Sequence, residues 1–403
     1  MTSSLLVVGA GLAGLGTARA ARQSGFTGSV TLVGAERHRP YDRPPLSKDY
    51  LVGSVGAGDI GLEGSTEDLN VEWRLGTAAT SFLASQREVT LADGSVLSGD
   101  AVVLATGSLA RRLPGIEGAN VLTLRTLDDA DRLRRVLRPG ASVAIIGAGL
   151  VGSELASSAV RLGCRVTLLS DEVNPLARLY GERLGEVFLD WHREHGVEFV
   201  FSPSVSGVPD GDQVGEIVAR VADGADRRLA VDVVVVAVGG APDVAWLAGS
   251  GLEIGDGIVC DHRGLTSVPG VGAVGDCASW WDPVLGSHQR AQHWTDALER
   301  PSTVVAALLE VPVTRARPYL PYFWSDQYGR TIQLAGYPSL ADRIAVDGDD
   351  HDPEAGFVAV YHRAEEAVAV LSVGRPRDFT RWRKHLRTSI GQLSAAAVAA
   401  GLD

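Results

Sequence analysis

Residues 4–36 read SLLVVGAGLAGLGTARAARQSGFTGSVTLVGAE: a short apolar run, a glycine turn, an Ala-rich stretch with helical spacing and a second β-branched run. That order is a βαβ unit. In such a unit Gly9 makes the tight turn, Gly11 lets a pyrophosphate approach the backbone beside Ala13, and Gly14 packs helix on strand. The pyrophosphate then sits at the helix N-terminus. Glu36 follows at the distance expected of an acid that hydrogen-bonds an adenosine ribose.

Residues 142–172, SVAIIGAGLVGSELASSAVRLGCRVTLLSDE, repeat the pattern, with Gly147, Gly149 and Gly152 at the three glycine positions and Leu150 and Val151 opening the helix. Each copy later meets an apolar run ending in glycine, VVLATG at 102–107 and VVVVAVGG at 233–240. Such continuous runs are expected of parallel strands covered on both faces. They place Ala105, Thr106 and Gly107 at the first site and Gly239 at the second. A helix is expected over 127–137, with Thr126 and Asp129 as its N-terminal cap. The fold class is therefore α/β, with two Rossmann-like dinucleotide-binding domains. From 330 onwards strand-like runs at 331–335, 343–346, 357–361 and 367–373 precede two helical stretches, which reads as a small α+β domain. The expected division is 1–110 with 238–318 as a discontinuous first dinucleotide-binding domain, 111–237 as a second, and 319–403 as the C-terminal domain.

The chain has 403 residues, 45% apolar and 21% charged, with mean hydropathy +0.09, which sets aside disorder and low-complexity architecture. A net charge of −12 disfavours nucleic acid and anionic lipid as partners. The apolar run 233–238 is far shorter than the ~20 residues of a membrane helix. Met1 leads directly into the first strand with no secretory leader, so a cytoplasmic location is expected. Cys164, Cys260 and Cys277 show neither metal spacing nor a paired framework, so no metal site is expected. The segment 41–50, YDRPPLSKDY, has no cysteine to pass electrons to a disulfide, and Cys277 alone reads as a small core residue.

At the second unit Ser170 stands directly after the strand, where an acid is usual, and the next acids are Asp171 and Glu172. No arginine follows closely to receive a 2′-phosphate, which favours NADH over NADPH. Glu154, near the start of the second helix, suits either first-turn stabilisation or a ligand role.

The segments HRPYDRPPLSK (38–48), ATGSLARRLPG (105–115), LRTLDDA (124–130), GAGLVGSELA (147–156), HRGLTSVPGVGAVGDCASW (262–280), HWTDALE (293–299) and PYFWSDQYGRTIQLAG (321–336) together resemble the FAD-dependent ferredoxin reductases. These glutathione-reductase-like flavoproteins of the pyridine nucleotide-disulfide oxidoreductase superfamily serve haem-thiolate monooxygenases and Rieske dioxygenases. The resemblance covers essentially the whole chain. It implies tightly bound, non-covalent FAD at the first dinucleotide-binding domain and NAD(H) at the second, hydride transfer from NADH, and single-electron delivery to a 2Fe–2S ferredoxin. The flavin does the chemistry, with Lys48, Glu154 and Trp324 in support. Glu36 would hold the FAD ribose, Arg43, Pro45 and Lys48 would lie along the isoalloxazine, and Ala79 would touch the adenine. Arg125 would serve the diphosphate or ring side, Gly275 and Asp276 the ribityl hydroxyls, and Trp294 would open a helix aimed at the flavin. Trp324, which in a Tyr-Phe-Trp run reads by itself as core, would pack near flavin and nicotinamide, and Glu154 would meet the carboxamide.

Arg375, Arg377, Arg381, Arg383, Lys384 and Arg387 form a candidate ferredoxin-docking patch, or else a solvated helix face. Alternatives to the reductase are an NADH oxidase or small-molecule reductase, and a redox-controlled scaffold resembling apoptosis-inducing factor. The sequence departs from the family pattern at Ser170, at Gln292, and at Arg300–Pro301, which interrupts the helix after HWTDALE.

Overall fold

The computed structural model describes residues 2–62, 69–221, 224–312, 319–350 and 355–399. The first apolar run forms strand Ser4–Val8 at the centre of a five-stranded parallel sheet. Its order is Val271–Ala273, Ala101–Leu104, Ser4–Val8, Ser29–Gly34, Val71–Leu75. Val8 lies opposite both Val33 and Leu104, so the loops carrying Gly9, Glu36 and Ala105 leave from one edge. Ligands of open parallel sheets bind at that carboxyl edge.

The second copy builds the same architecture. Glu198–Phe201, Arg165–Ser170, Ser142–Ile146, Val233–Val236 and Val121–Thr123 lie in that order, all parallel. Every strand of this second sheet comes from between two strands of the first, Ala101–Leu104 and Val271–Ala273. The passages there and back pair with each other as the antiparallel strands Ser108–Ala110 and Gly240–Pro242. The helix expected over 127–137 is Leu127–Val136, with Thr126 Oγ1 accepting from the Asp129 amide at 3.2 Å and Asp129 Oδ2 accepting from the Thr126 amide at 3.0 Å. That reciprocal pair satisfies two otherwise orphaned donors.

The C-terminal strands form one antiparallel sheet in the order Tyr322–Gln327, Arg330–Gly336, Glu366–Val373, Phe357–Arg363, Arg343–Gly348. Phe357, Ala359 and Tyr361 face a core shared with Tyr180, Leu184, Phe188 and Trp191, the last three on helix Glu182–Glu194. Val358 and Val360 face the opposite way, onto Phe379, Leu386 and Ile390 of helix Pro376–Ala399. Covering on both faces explains the unbroken apolar run of this strand.

The two helical stretches expected at the end of the chain are one helix, Pro376–Ala399. Gly391 lies inside it, at a cost of about 1 kcal/mol relative to alanine. The expected domain boundary at 318 lies outside the described residues. No helix of the described residues is long and apolar enough to cross a membrane.

Candidate functional site

The two glycine turns are built alike, each glycine for a different reason. Gly9 has φ +121°, and a Cβ on it would lie 2.0 Å from the Ala105 carbonyl oxygen. A Cβ on Gly14 would lie 1.8 Å from the Gly9 oxygen, so the third glycine is imposed by the helix crossing its own strand. A Cβ on Gly11 would meet nothing within 4 Å. That space is a cradle at the start of helix Leu12–Gln23, which no side chain caps. In the second turn Gly147 has φ +105°, and a Cβ there would lie 2.4 Å from the Ala237 oxygen. A Cβ on Gly152 would strike the Gly147 oxygen at 1.9 Å, and Gly149 again faces open space before the uncapped helix Leu150–Arg161. Both turns therefore fit the phosphates of a dinucleotide, whose oxygens would accept from the free first-turn N–H groups.

A cavity of about 1010 Å³ starts at the first turn. Gly9, Gly11, Ala13, Glu36, Arg43, Lys48, Ala79, Ala105, Thr106, Gly107, Arg125, Gly275, Asp276, Trp294 and Trp324 line it, and Leu150, Val151 and Glu154 reach in from the second unit. Of the expected site residues, Gly14, Pro45, Gly147, Gly149, Gly152, Asp171, Glu172 and Gly239 do not line it.

Several of the charged groups in this cavity are paired. Arg43 Nη2 donates to Glu36 Oε1 at 2.5 Å and the Tyr41 hydroxyl to Glu36 Oε2 at 2.6 Å. Tyr41 in turn accepts from the Leu127 amide at 2.9 Å, which ties the acid to the next helix. Burial pushes the Tyr41 phenol well up, against the opposing pull of Arg43, so it stays a donor. Arg125 Nη2 and the Ser108 hydroxyl donate to Asp276 Oδ2 at 2.7 and 3.1 Å. The Trp294 indole donates to Asp42 Oδ1 at 2.6 Å; burial raises the Asp42 carboxyl while that bond lowers it.

Lys48, half-buried, and Glu154, buried, which the sequence reading treats separately, form an ion pair at 2.9 Å. The Ser47 hydroxyl donates to Glu154 Oε2 at 2.5 Å and the Ser325 hydroxyl to Oε1 at 2.8 Å. Sequence reasoning missed Tyr41, Ser47 and Ser325, although all three lie inside the YDRPPLSK and FWSDQ segments it singled out. Trp324 is a cavity wall, 6.1 Å from Tyr322 in a stacked arrangement and 5.7 Å from Trp294 edge-on. The break at Arg300 stands as expected: Trp294–Glu299 ends there and Pro301 starts helix Pro301–Leu309.

Cys277 is fully buried against the Leu104 and Val274 carbonyls, and burial pushes its thiol up to about 11, the behaviour of a core residue. Among the described residues no cluster of His, Cys, Asp or Glu suits a metal.

At the second unit the structure shifts the acid. Val33 opposes Val8 and Leu169 opposes Ile146, so the residue in register with Glu36 is Glu172, while Ser170 is buried and its hydroxyl accepts from the Glu172 amide at 3.1 Å. The expectation that no arginine follows closely is also corrected. The short helix Ala177–Tyr180 folds back and brings Arg178 within 3.9 Å of Glu172.

The basic segment is divided rather than a uniform solvated face. Arg375 pairs with Asp347 and Asp378, Arg381 with Asp378, and Arg387 reaches Glu299 at 3.5 Å. Arg377 and Lys384 are exposed, and the Arg383 guanidinium lies 4.0 Å over the Tyr322 ring.

Residues 3–300 match the pyridine nucleotide-disulphide oxidoreductase family, and residues 322–401 match the reductase C-terminal family. The chain is 34% identical to the ferredoxin reductase component of chlorobenzene dioxygenase from Cupriavidus sp. (strain PS12), over 94% of this chain and 91% of that one. It is 33% identical to putidaredoxin reductase from Pseudomonas putida, over 94% and 90%. The crystal structure of a covalent putidaredoxin reductase–putidaredoxin complex superposes with a TM-score of 0.89 at 31% identity, covering 99% of this chain and 98% of that one. The chain belongs to the pyridine nucleotide-disulphide oxidoreductase family, among its ferredoxin reductases.

Proposed function

We propose that this chain is a flavoprotein reductase that moves electrons from NADH to a 2Fe–2S ferredoxin serving a haem-thiolate monooxygenase or Rieske oxygenase in the cytoplasm. The observation that carries the reading is the continuous cavity running from the first glycine turn to Leu150, Val151 and Glu154 of the second unit. It would bring two dinucleotides head to head. A bound FAD supplies the chemistry, taking up a hydride from reduced nicotinamide and releasing its two electrons one at a time.

The chain's own residues bind and tune. Residues 1–110 and 238–318 form the FAD-binding domain, 111–237 the NAD(H)-binding domain and 319–403 the C-terminal domain. Glu36, fixed by Arg43 and Tyr41, receives the adenosine ribose and keeps FAD tightly but non-covalently held. Asp276 accepts the ribityl hydroxyls. Lys48 contributes positive charge beside the ring system, and Glu154 accepts from the nicotinamide carboxamide. Trp324 covers the nicotinamide approach.

Docking of the ferredoxin uses the basic segment from Arg375 to Arg387. Support comes from the aromatic path Arg383–Tyr322–Trp324, which joins that segment to the cavity wall. Preference for NADH is supported by the register-matched carboxylate Glu172, whose negative charge would repel a 2′-phosphate against the pull of the neighbouring Arg178.

The test is anaerobic stopped-flow of the yellow protein with NADH or NADPH, then with a 2Fe–2S ferredoxin at increasing salt. Expected are rapid bleaching with NADH, slower bleaching with NADPH, and fast reoxidation by ferredoxin that weakens with salt. Fast bleaching without electron transfer to any iron–sulfur protein would overturn the reading in favour of an oxidase.

A further inference from the structure

We propose that Ser325 is a positioning residue for the nicotinamide end of the cavity, its hydroxyl fixing the plane of the Glu154 carboxylate from the C-terminal sheet. The inference rests on the reading of Glu154 as the carboxamide's partner. Glu154 is held from two sides by parts of the chain remote in sequence. Ser47 and Lys48 both bind Oε2, at 2.5 and 2.9 Å, and lie in the loop at one side. Ser325 binds Oε1 at 2.8 Å from strand Tyr322–Gln327 on the other, 171 residues away.

The direction of this bond is set from behind. The Gln327 amide nitrogen donates to Ser325 Oγ at 3.0 Å. A serine hydroxyl has one proton, so a donor on its acceptor side leaves that proton for Glu154. Ser325 and Gln327 are 0% and 1% exposed, so no water competes. Bonds to an ionised carboxylate are roughly twice as strong as neutral ones, and a chain of them in a dry site reinforces itself. Without Ser325, Oε1 would lose its one fixed donor, and the carboxylate plane would be set by Ser47 and Lys48 on Oε2 alone. Successive side chains of a strand face opposite ways. The same strand therefore presents Trp324 to the cavity and Ser325 to Glu154, and the C-terminal sheet sets both the cover and the carboxylate.

The test compares Ser325→Ala, Ser325→Thr and Glu154→Gln in the full flavin-loaded protein. A matched control is Thr331→Ala, which removes an exposed hydroxyl bonded to Asp326 on the neighbouring strand. Ser325→Ala should raise the NADH KM about tenfold with kcat within about twofold. It should also weaken the long-wavelength charge-transfer absorbance formed when NAD+ is added to dithionite-reduced protein. Flavin content should stay at the wild-type level, Ser325→Thr should recover most of the loss, and Thr331→Ala should show no change. Two results overturn the proposal: an unchanged KM and charge-transfer band in Ser325→Ala, or a loss that comes with missing flavin and is not recovered by Ser325→Thr, which marks a packing defect. If Glu154→Gln leaves NADH binding unchanged, the role given to Glu154 falls, and this inference with it; if Glu154→Gln weakens binding and Ser325→Ala does not, only the inference falls.

Discussion

At the first glycine turn the acid downstream, Glu36, is gripped by Arg43 and Tyr41 at 2.5 and 2.6 Å, whereas its register counterpart at the second, Glu172, meets Arg178 at 3.9 Å across an exposed surface. The backbones leading to the two acids are nearly interchangeable. Each has a left-handed first glycine, a third glycine against its own strand, and a twelve-residue helix that no side chain caps. What differs is how far the acid is ordered before any ligand arrives. A carboxylate already fixed by two donors loses little freedom on binding, which favours retention; a loosely held one must be ordered at that moment, which favours exchange. On the proposed reading, one supersecondary unit serves a resident and a visiting dinucleotide through a difference in what surrounds the acid.

The largest effect should come from filling each cradle. Gly11→Val would occupy the open space of the first turn, and the protein should purify with less than about a tenth of its flavin, read as absorbance at 450 nm per chain. Gly149→Val should keep its flavin and instead raise the NADH KM roughly a hundredfold. If both variants lose flavin equally, the division of labour between the turns breaks.

A smaller difference should separate the two acids. Glu36→Gln removes the charge that Arg43 and Tyr41 are arranged around, and the flavin Kd should rise about thirtyfold. Glu172→Gln should change the NADH KM only about threefold, because an exposed pair contributes little. Equal effects would mean that ordering of the acid is not what distinguishes the sites.

An effect on stability rather than on binding concerns what the second unit rests on. His192, on helix Glu182–Glu194, is buried with its Nδ1 2.5 Å from the Tyr328 hydroxyl of the C-terminal sheet hairpin, and burial lowers its pKa to about 4 from 6.5. The folded state holds the neutral ring, so stability is full above pH 6.5 and is lost as pH falls from there toward 4, where the unfolded chain takes up the proton first. Denaturant melts at pH 7.5 and 5 should show about 2 kcal/mol more loss in the wild type than in His192→Gln.

Much of this comparison was readable from spacing. Glycines at fixed offsets, apolar runs four to six residues long and the Thr126–Asp129 cap each obey local rules, and local rules survive folding. Which of Asp171 and Glu172 matches Glu36 was not, because that register is a property of paired strands, not of distance along the chain. Nor was the Glu154 cluster. Ser47, Glu154 and Ser325 belong to three parts of the molecule, and only the tertiary fold brings their hydroxyls onto one carboxylate. The tail is the opposite case: Gly391 looks like a helix stop in isolation, yet it lies inside the continuous helix Pro376–Ala399.

The paired passages at Ser108–Ala110 and Gly240–Pro242 carry a consequence for biosynthesis. On the ribosome, all five strands of the second sheet emerge before Val271–Ala273, the strand that completes the first. A nascent chain of intermediate length therefore holds one finished sheet and one whose Ala101–Leu104 edge is open, with its apolar side chains and unpaired amides facing solvent. Of the two parallel sheets, the first to begin is the last to close, and the interval between is when its open edge is exposed to misassembly.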